Sequence, residues 1–136
     1  MSRHFVTDTH ALIWHLYSPS RLGAAARDAF SHADDGEAVV HIPAVVLAEV
    51  LMVVQRGRLA GVTIEQLMPH LDAIRGSRNF LLSTLNPETV IGSHTLTAIP
   101  DIFDRLIVAE AIERRIPLLS RDGVIKASGL VPLVWD

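Results

Sequence analysis

Cysteine is missing from this sequence altogether, which excludes disulfide frameworks, iron–sulfur clusters and thiolate zinc sites and is compatible with a reducing, cytoplasmic setting. Aromatic residues are scarce at 5%. Trp14, Trp135 and Tyr17 are too few and too scattered for a base-stacking platform, so core or interface packing is their expected use. Basic residues do not predominate: twelve Lys and Arg against fifteen Asp and Glu give a net charge of −3. That argues against holding nucleic acid by bulk charge, though not against a basic rim around an acidic pocket. No apolar run approaches membrane-spanning length. The start, Met1 to Asp8, meets an acidic residue too soon for a signal-peptide apolar region. Familiar hydrolase patterns are absent as well. The seven histidines include no pair four residues apart for a zinc site, no glycine-rich phosphate loop follows a strand, and no serine has a nucleophile-elbow context.

What is present is a chain of 136 residues with 49% apolar and 20% charged residues, enough to bury a core as one domain over residues 1–136. His4–Thr7 reads as a strand, followed by a largely buried helix from Ala11 to Tyr17 that Ser18-Pro19-Ser20 breaks. Leu22 to Phe30 reads as an amphipathic helix and Asp34-Asp35-Gly36 as a turn. Ala38–Ile42 is β-branched and short, a second strand, and Pro43 opens a helix over Ala44–Gln55. Thr63 with Gln66 forms a capping box for a helix to Arg75. Phe80–Thr84 reads as a strand and Pro87–His94 as a helix. A helix starting near Asp104 runs to Arg115, and strands at Pro117–Ser120 and Val131–Trp135 close the chain. This alternation predicts an α/β domain with a mainly parallel central sheet, whose ligands bind beyond the carboxyl ends of the strands.

Acidic residues in awkward places carry the functional signal. In Pro43–Val54 the helical neighbours of Glu49 at three and four residues are Val45, Val46, Met52 and Val53, so no turn of that face is polar. A carboxylate there needs a cation or hydrogen bonds, or an arginine at the core edge. Asp8 lies between a strand and a helix, where an N-cap is the ordinary explanation. Asp122-Gly123, between Leu118-Leu119 and Val124-Ile125, is also a hairpin-turn signal. Asp104 reads as a cap or a site residue, and Asp101 as a turn residue after Pro100. Each of these explanations holds singly; none accounts for acids that an α/β sheet would bring to one edge together with Glu49. Three or four carboxylates without histidine or cysteine make a hard oxygen site suited to Mg²⁺ or Mn²⁺, and nuclease chemistry is its natural use.

These residues resemble the PIN domain family, and within it the VapC-type toxins of toxin–antitoxin pairs. Phe5–Trp14 is similar to the family's opening strand, acid and following Thr. Glu49 sits where the family carries its helical glutamate, and Gln55–Leu59 resembles the basic segment after it. Asp101–Ala111 is similar to the third motif and Pro117–Asp122 to the fourth. The family has a Pro after the acid equivalent to Asp101, often with a basic pair before it. Here Ile102 follows and Ile99-Pro100 precede.

The resemblance implies a three-layer α/β/α fold and a Mg²⁺- or Mn²⁺-dependent endoribonuclease. Asp8, Glu49, Asp104 and Asp122 would hold the metal, Thr9, Asp101 and Ser120 would support them, and Arg56, Arg58, Arg105 and Arg121 are candidates for RNA contact. It also implies a homodimer and a small cognate antitoxin whose arginine enters the carboxylate cluster. Two alternatives stand beside it. One is a PIN-like binding module without activity; the other is a receiver-like domain with Asp8 as phosphoacceptor, which leaves Glu49 unexplained.

Overall fold

The computed structural model describes residues 3–136; Met1 and Ser2, part of the stretch read above for a signal peptide, lie outside the described residues. Five short strands, β1 (Arg3–Thr7), β2 (Ala38–Pro43), β3 (Phe80–Ser83), β4 (Leu118–Leu119) and β5 (Leu133–Val134), form one sheet in the order β3-β2-β1-β4-β5. All pairings are parallel, with Phe5 opposite Val40 and Val6 opposite Leu118. Parallel pairing requires crossovers, and these are supplied by α1 (Thr9–Tyr17), α2 (Ala24–Asp34), α3 (Ala44–Gln55), α4 (Ile64–Arg75), α5 (Pro87–Gly92), α6 (Ile102–Arg114) and α7 (Gly123–Ser128). The result is the expected three-layer α/β/α arrangement, with a sheet that is parallel throughout.

Covering a sheet on both faces explains why its central strands read as continuous apolar runs. Every residue of β2 is buried, and Phe5, Val6, Val40, Ile42, Leu118 and Leu119 are at most 1% exposed. Leu12, Phe30, Val46, Leu67 and Ile107 close over them from the helices. The capping box at Thr63 and Gln66 forms as expected, both hydrogen bonds being present. Gly23 is required by a close approach. A Cβ there would overlap the backbone carbonyl of Trp135, which accepts a hydrogen bond from the Ala26 amide at 3.0 Å.

Several boundaries differ from the sequence reading. Helix α6 begins at Ile102 instead of Asp104, because the Asp101 carboxylate, in the role of N-cap, accepts from the amides of Phe103 and Asp104 and starts the helix two residues earlier. Asp122-Gly123 is no hairpin turn. Asp122 caps α7, and Val124 and Ile125 continue as helix. Helix α2 runs on to Asp34, leaving the turn to Asp35 and to Gly36 at φ +79°.

Candidate functional site

The strand order places the chain reversal between β1 and β4: from β1 the sheet grows outward through β2 and β3 on one side and through β4 and β5 on the other. Beyond the carboxyl ends of strands on either side of such a reversal, the connecting segments diverge and leave a crevice. Asp8 follows β1 and Asp122 lies three residues beyond β4. The backbone keeps them side by side, since the Asp8 amide donates to the Leu119 carbonyl at 3.1 Å.

Three of the acids are helix caps and use one oxygen for the purpose. Asp8 Oδ1 accepts from the Ala11 amide at 2.8 Å, Asp101 Oδ1 from Phe103 and Asp104, and Asp122 Oδ1 from Val124 at 2.9 Å and Ile125 at 3.0 Å. Cap and site are therefore compatible roles: the second oxygen of each carboxylate stays outside the cap. The amino-terminal ends of α1, α6 and α7 all bring partial positive charge to these acids.

Asp104 lies in the first turn of α6 and is half-buried. Burial, reinforced by the charges of Asp101, Asp122, Glu49 and Asp8, pushes its carboxyl from 3.8 up to about 7. Asp104 thus stands within electrostatic reach of the other four acids. Asp8 is also raised, first by burial. The Ser120 hydroxyl, the Ala11 amide and the charge of His10 act against that rise, and Asp122 adds to it.

Glu49 is half-buried, not enclosed: Val45, Val46, Val50 and Val54 form the buried stripe of α3, and Glu49 lies at its border with Met52 and Val53. Its partner is the Thr9 hydroxyl, which donates to Oε1 at 2.7 Å; among the described residues no arginine pairs with it. Ser120 is fully buried, and its Oγ accepts from the Asp122 amide at 3.1 Å, fixing the turn that presents Asp122.

The arginine candidates divide. Arg121 lies over the Trp14 ring, 4.8 Å from its centroid. The Nε of Arg105 donates to the Ile99 carbonyl and braces the loop before α6. Arg56 and Arg58 are exposed at and beyond the carboxyl end of α3, Arg56 about 10 Å along the helix axis from Glu49 at 1.5 Å per residue.

A cleft of about 320 Å³ opens at Asp8 and Asp122, lined also by His10, Trp14, Arg121 and Gly123. His10 and Trp14 were not singled out as site residues in the sequence. Their positions two and six residues after Asp8, at the start and on the second turn of the same helix, were the available signal. A roomier cleft of about 490 Å³, near His15, His70 and Phe80, lies toward the amino-terminal ends of β2 and β3 and contains none of the five acids.

Among the described residues no three His, Cys, Asp or Glu side chains are gathered closely enough to grip a metal ion as they stand. The donor chemistry nevertheless fits a hard divalent cation. Carboxylate oxygens predominate among the donors of the site, with His10 beside them, and the mutual repulsion of the carboxylates is what a cation would relieve.

Fold and residues together define an α/β domain with an acidic site at the reversal point of a parallel sheet. The PIN domain family profile matches residues 5–128, and the chain belongs to that family. PIN domains are generally nucleases and generally use divalent metals. In structure the chain is similar to VapBC2 from Rickettsia felis, solved bound to a DNA fragment from their promoter, with 17% identity, 98% of this chain and 99% of the other covered and a TM-score of 0.71. It is similar also to FitAcB from Neisseria gonorrhoeae (13% identity, 95% of each chain, TM-score 0.63) and to FitAB bound to an IR36 DNA fragment (16%, 95% and 92%, 0.64). No curated protein matches the sequence.

Proposed function

We propose that this protein is a divalent-metal-dependent endoribonuclease that acts as the toxin of a toxin–antitoxin pair. The observation that carries the reading is the placing of Asp8 and Asp122 beyond the carboxyl ends of β1 and β4 at the sheet's reversal point, where burial first, and then the charges of Asp101, Asp122, Glu49 and Asp8, raise Asp104 to about 7. So concentrated a negative charge suits a site that works with cations present. Asp8, Glu49, Asp104 and Asp122 would hold Mg²⁺ or Mn²⁺. When bound, such an ion supplies positive charge for a phosphodiester and acidifies water.

The chain's own residues do the positioning. Thr9 fixes the rotamer of Glu49, Ser120 and the α7 cap fix Asp122, and Asp101 holds the first turn of α6 so that Asp104 faces the other acids. Arg121 stands at the mouth of the cleft for a phosphate. The biological partners follow from the same reading: an RNA substrate, a second copy of the chain, and a small antitoxin whose arginine would stand in for the cation among these carboxylates. The similar solved structures, VapBC2 and FitAB, support the antitoxin partner, and the cytoplasm is the compartment such a pair requires.

The test is cleavage of RNA by purified protein with Mg²⁺ or Mn²⁺ against an EDTA control. Asp8→Asn and Asp104→Asn are expected to lose cleavage and keep their circular dichroism. Full activity in both overturns the assignment. A second reading, a PIN-like binding module, draws on the spacing of the acids, no three of which stand close enough to grip an ion. Calorimetric titration with Mn²⁺ separates the two, because the module binds no metal through these carboxylates.

A further inference from the structure

Two guanidinium groups share one indole beside the acidic cleft. Arg121 lies 4.8 Å and Arg21 5.1 Å from the centroid of the Trp14 ring, distances at which the ring face attracts a cation. Both side chains are on exposed residues, and among the described residues neither makes an ion pair or a side-chain hydrogen bond, although Asp122 adjoins Arg121 in sequence. They are positioned by an aromatic ring and keep their donors uncommitted, an arrangement suited to an anion that arrives from outside.

Arg121 also lines a second cleft, of about 440 Å³. Lys126, Trp135, Ser120 and Asp136 lie along that cleft. The two clefts thus have Arg121 in common, and Trp135 meets Trp14 edge-on at 5.8 Å. Beside the acidic cleft the surface presents Arg121 and Arg21 on Trp14, and in the second cleft Lys126 and Trp135. Arg121 and Lys126 line these clefts and Arg21 lies on Trp14, a wall of the acidic one; cations so placed with an aromatic beside them suit a single strand, with phosphates meeting the cations and a base meeting the indole. Asp136, the one carboxylate of the second cleft, would oppose an anion at that end.

We propose that this surface is the path of the RNA strand leaving the acidic site, with Arg21, Arg121 and Lys126 as phosphate contacts and Trp135 as a base-stacking surface. The inference rests on the endoribonuclease reading and adds to it the direction of the strand across the protein. Positively charged contacts of this kind set affinity and its salt dependence more than the chemical step.

The experiment measures binding and cleavage separately. Binding of a fluorescein-labelled, 12-nucleotide single-stranded RNA to the Asp104→Asn protein in Mg²⁺ is followed by anisotropy over a range of salt concentrations. It is repeated with Arg21→Gln, Lys126→Gln and Arg78→Gln added one at a time. Loss of one phosphate contact should lower the slope of log K against log salt by about 0.7 and weaken binding several-fold. Arg21→Gln and Lys126→Gln are expected to do so, and Arg78→Gln, exposed near the amino-terminal end of β3, is expected to change neither. In the active protein the same two variants should raise KM several-fold and leave kcat nearly unchanged. If the wild type cleaves RNA while Arg21→Gln and Lys126→Gln keep its slope and KM, the track is wrong and the nuclease reading stands. If the wild type neither cleaves nor binds RNA, both fall.

Discussion

Replacing Asp104 by asparagine should make the metal-free protein more stable at pH 8, although it removes a group from the candidate site. The carboxyl has been moved from 3.8 to about 7 by burial and by four neighbouring acids. The folded chain therefore keeps a proton that the unfolded chain gives up between those two values, and this group's contribution to stability falls as pH rises through the window. At about 1.4 kcal/mol per pH unit the full penalty above pH 7 is about 4 kcal/mol. Asp104 is partly exposed, and solvent screening reduces the figure to about 1–2 kcal/mol. Asparagine has nearly the same shape, lacks the charge and escapes the penalty. For a chain of this length the expected gain in Tm is roughly 4–8 °C at pH 8. It should shrink steadily toward zero as pH falls to 4. Differential scanning calorimetry in EDTA from pH 4 to 8 reads the gap directly. Added Mn²⁺ should raise the wild-type Tm and leave that of the variant nearly unchanged. A gap that is absent, or the same at pH 4 and pH 8, would refute the idea that Asp104 stands in the field of the other acids.

Other consequences are open to measurement. Thr9→Val removes the hydroxyl that donates to Glu49 and should weaken Mn²⁺ binding about 10-fold by calorimetry, with little change in fold. Gly23→Ala places a Cβ against the Trp135 carbonyl and should cost about 1–3 kcal/mol in urea unfolding. Gly76→Ala, whose new Cβ meets nothing nearer than 3.7 Å, should be neutral or slightly stabilising. His41 is lowered to about 4 by burial, Arg114 and His4. The unfolded chain takes up a proton near pH 6.5 that the folded chain refuses, so stability should fall by about 1–3 kcal/mol as pH drops from 6.5 to 4. That slope opposes the one from Asp104, so it is best read in the Asp104→Asn background, where His41→Leu should flatten it.

Much of the fold could be read from local chemistry. Pro43 at the end of a β-branched strand marked the start of α3, and Thr63 with Gln66 marked the start of α4. The errors have a common cause. Asp101 and Asp122 precede helices whose starts local sequence does not decide, and Asp-Gly serves a hairpin or a helix start equally well. The parallel sheet decides it, because β4 can reach β5 only through a crossover, and α7 is that crossover. The acids were legible by position, but their partners were not. The bond from Thr9 to Glu49 spans forty residues of sequence, and the two arginines on Trp14 come from distant parts of the chain. Trp14 is buried as expected, yet it also borders the cleft, a dual placement that composition could not reveal.

Three of the five acids hold a helix start with one oxygen, and this has a consequence for how such a protein loses its activity. Most replacements of Asp8 or Asp122, asparagine aside, discard a cap worth about 1 kcal/mol along with the site, so they damage folding as well. Glu49 and Asp104 cap nothing. If the protein is the toxin proposed above and a growing population selects against it, inactive but fully folded descendants should arise through those two positions first. Such survivors would retain the surface that the proposed antitoxin would cover.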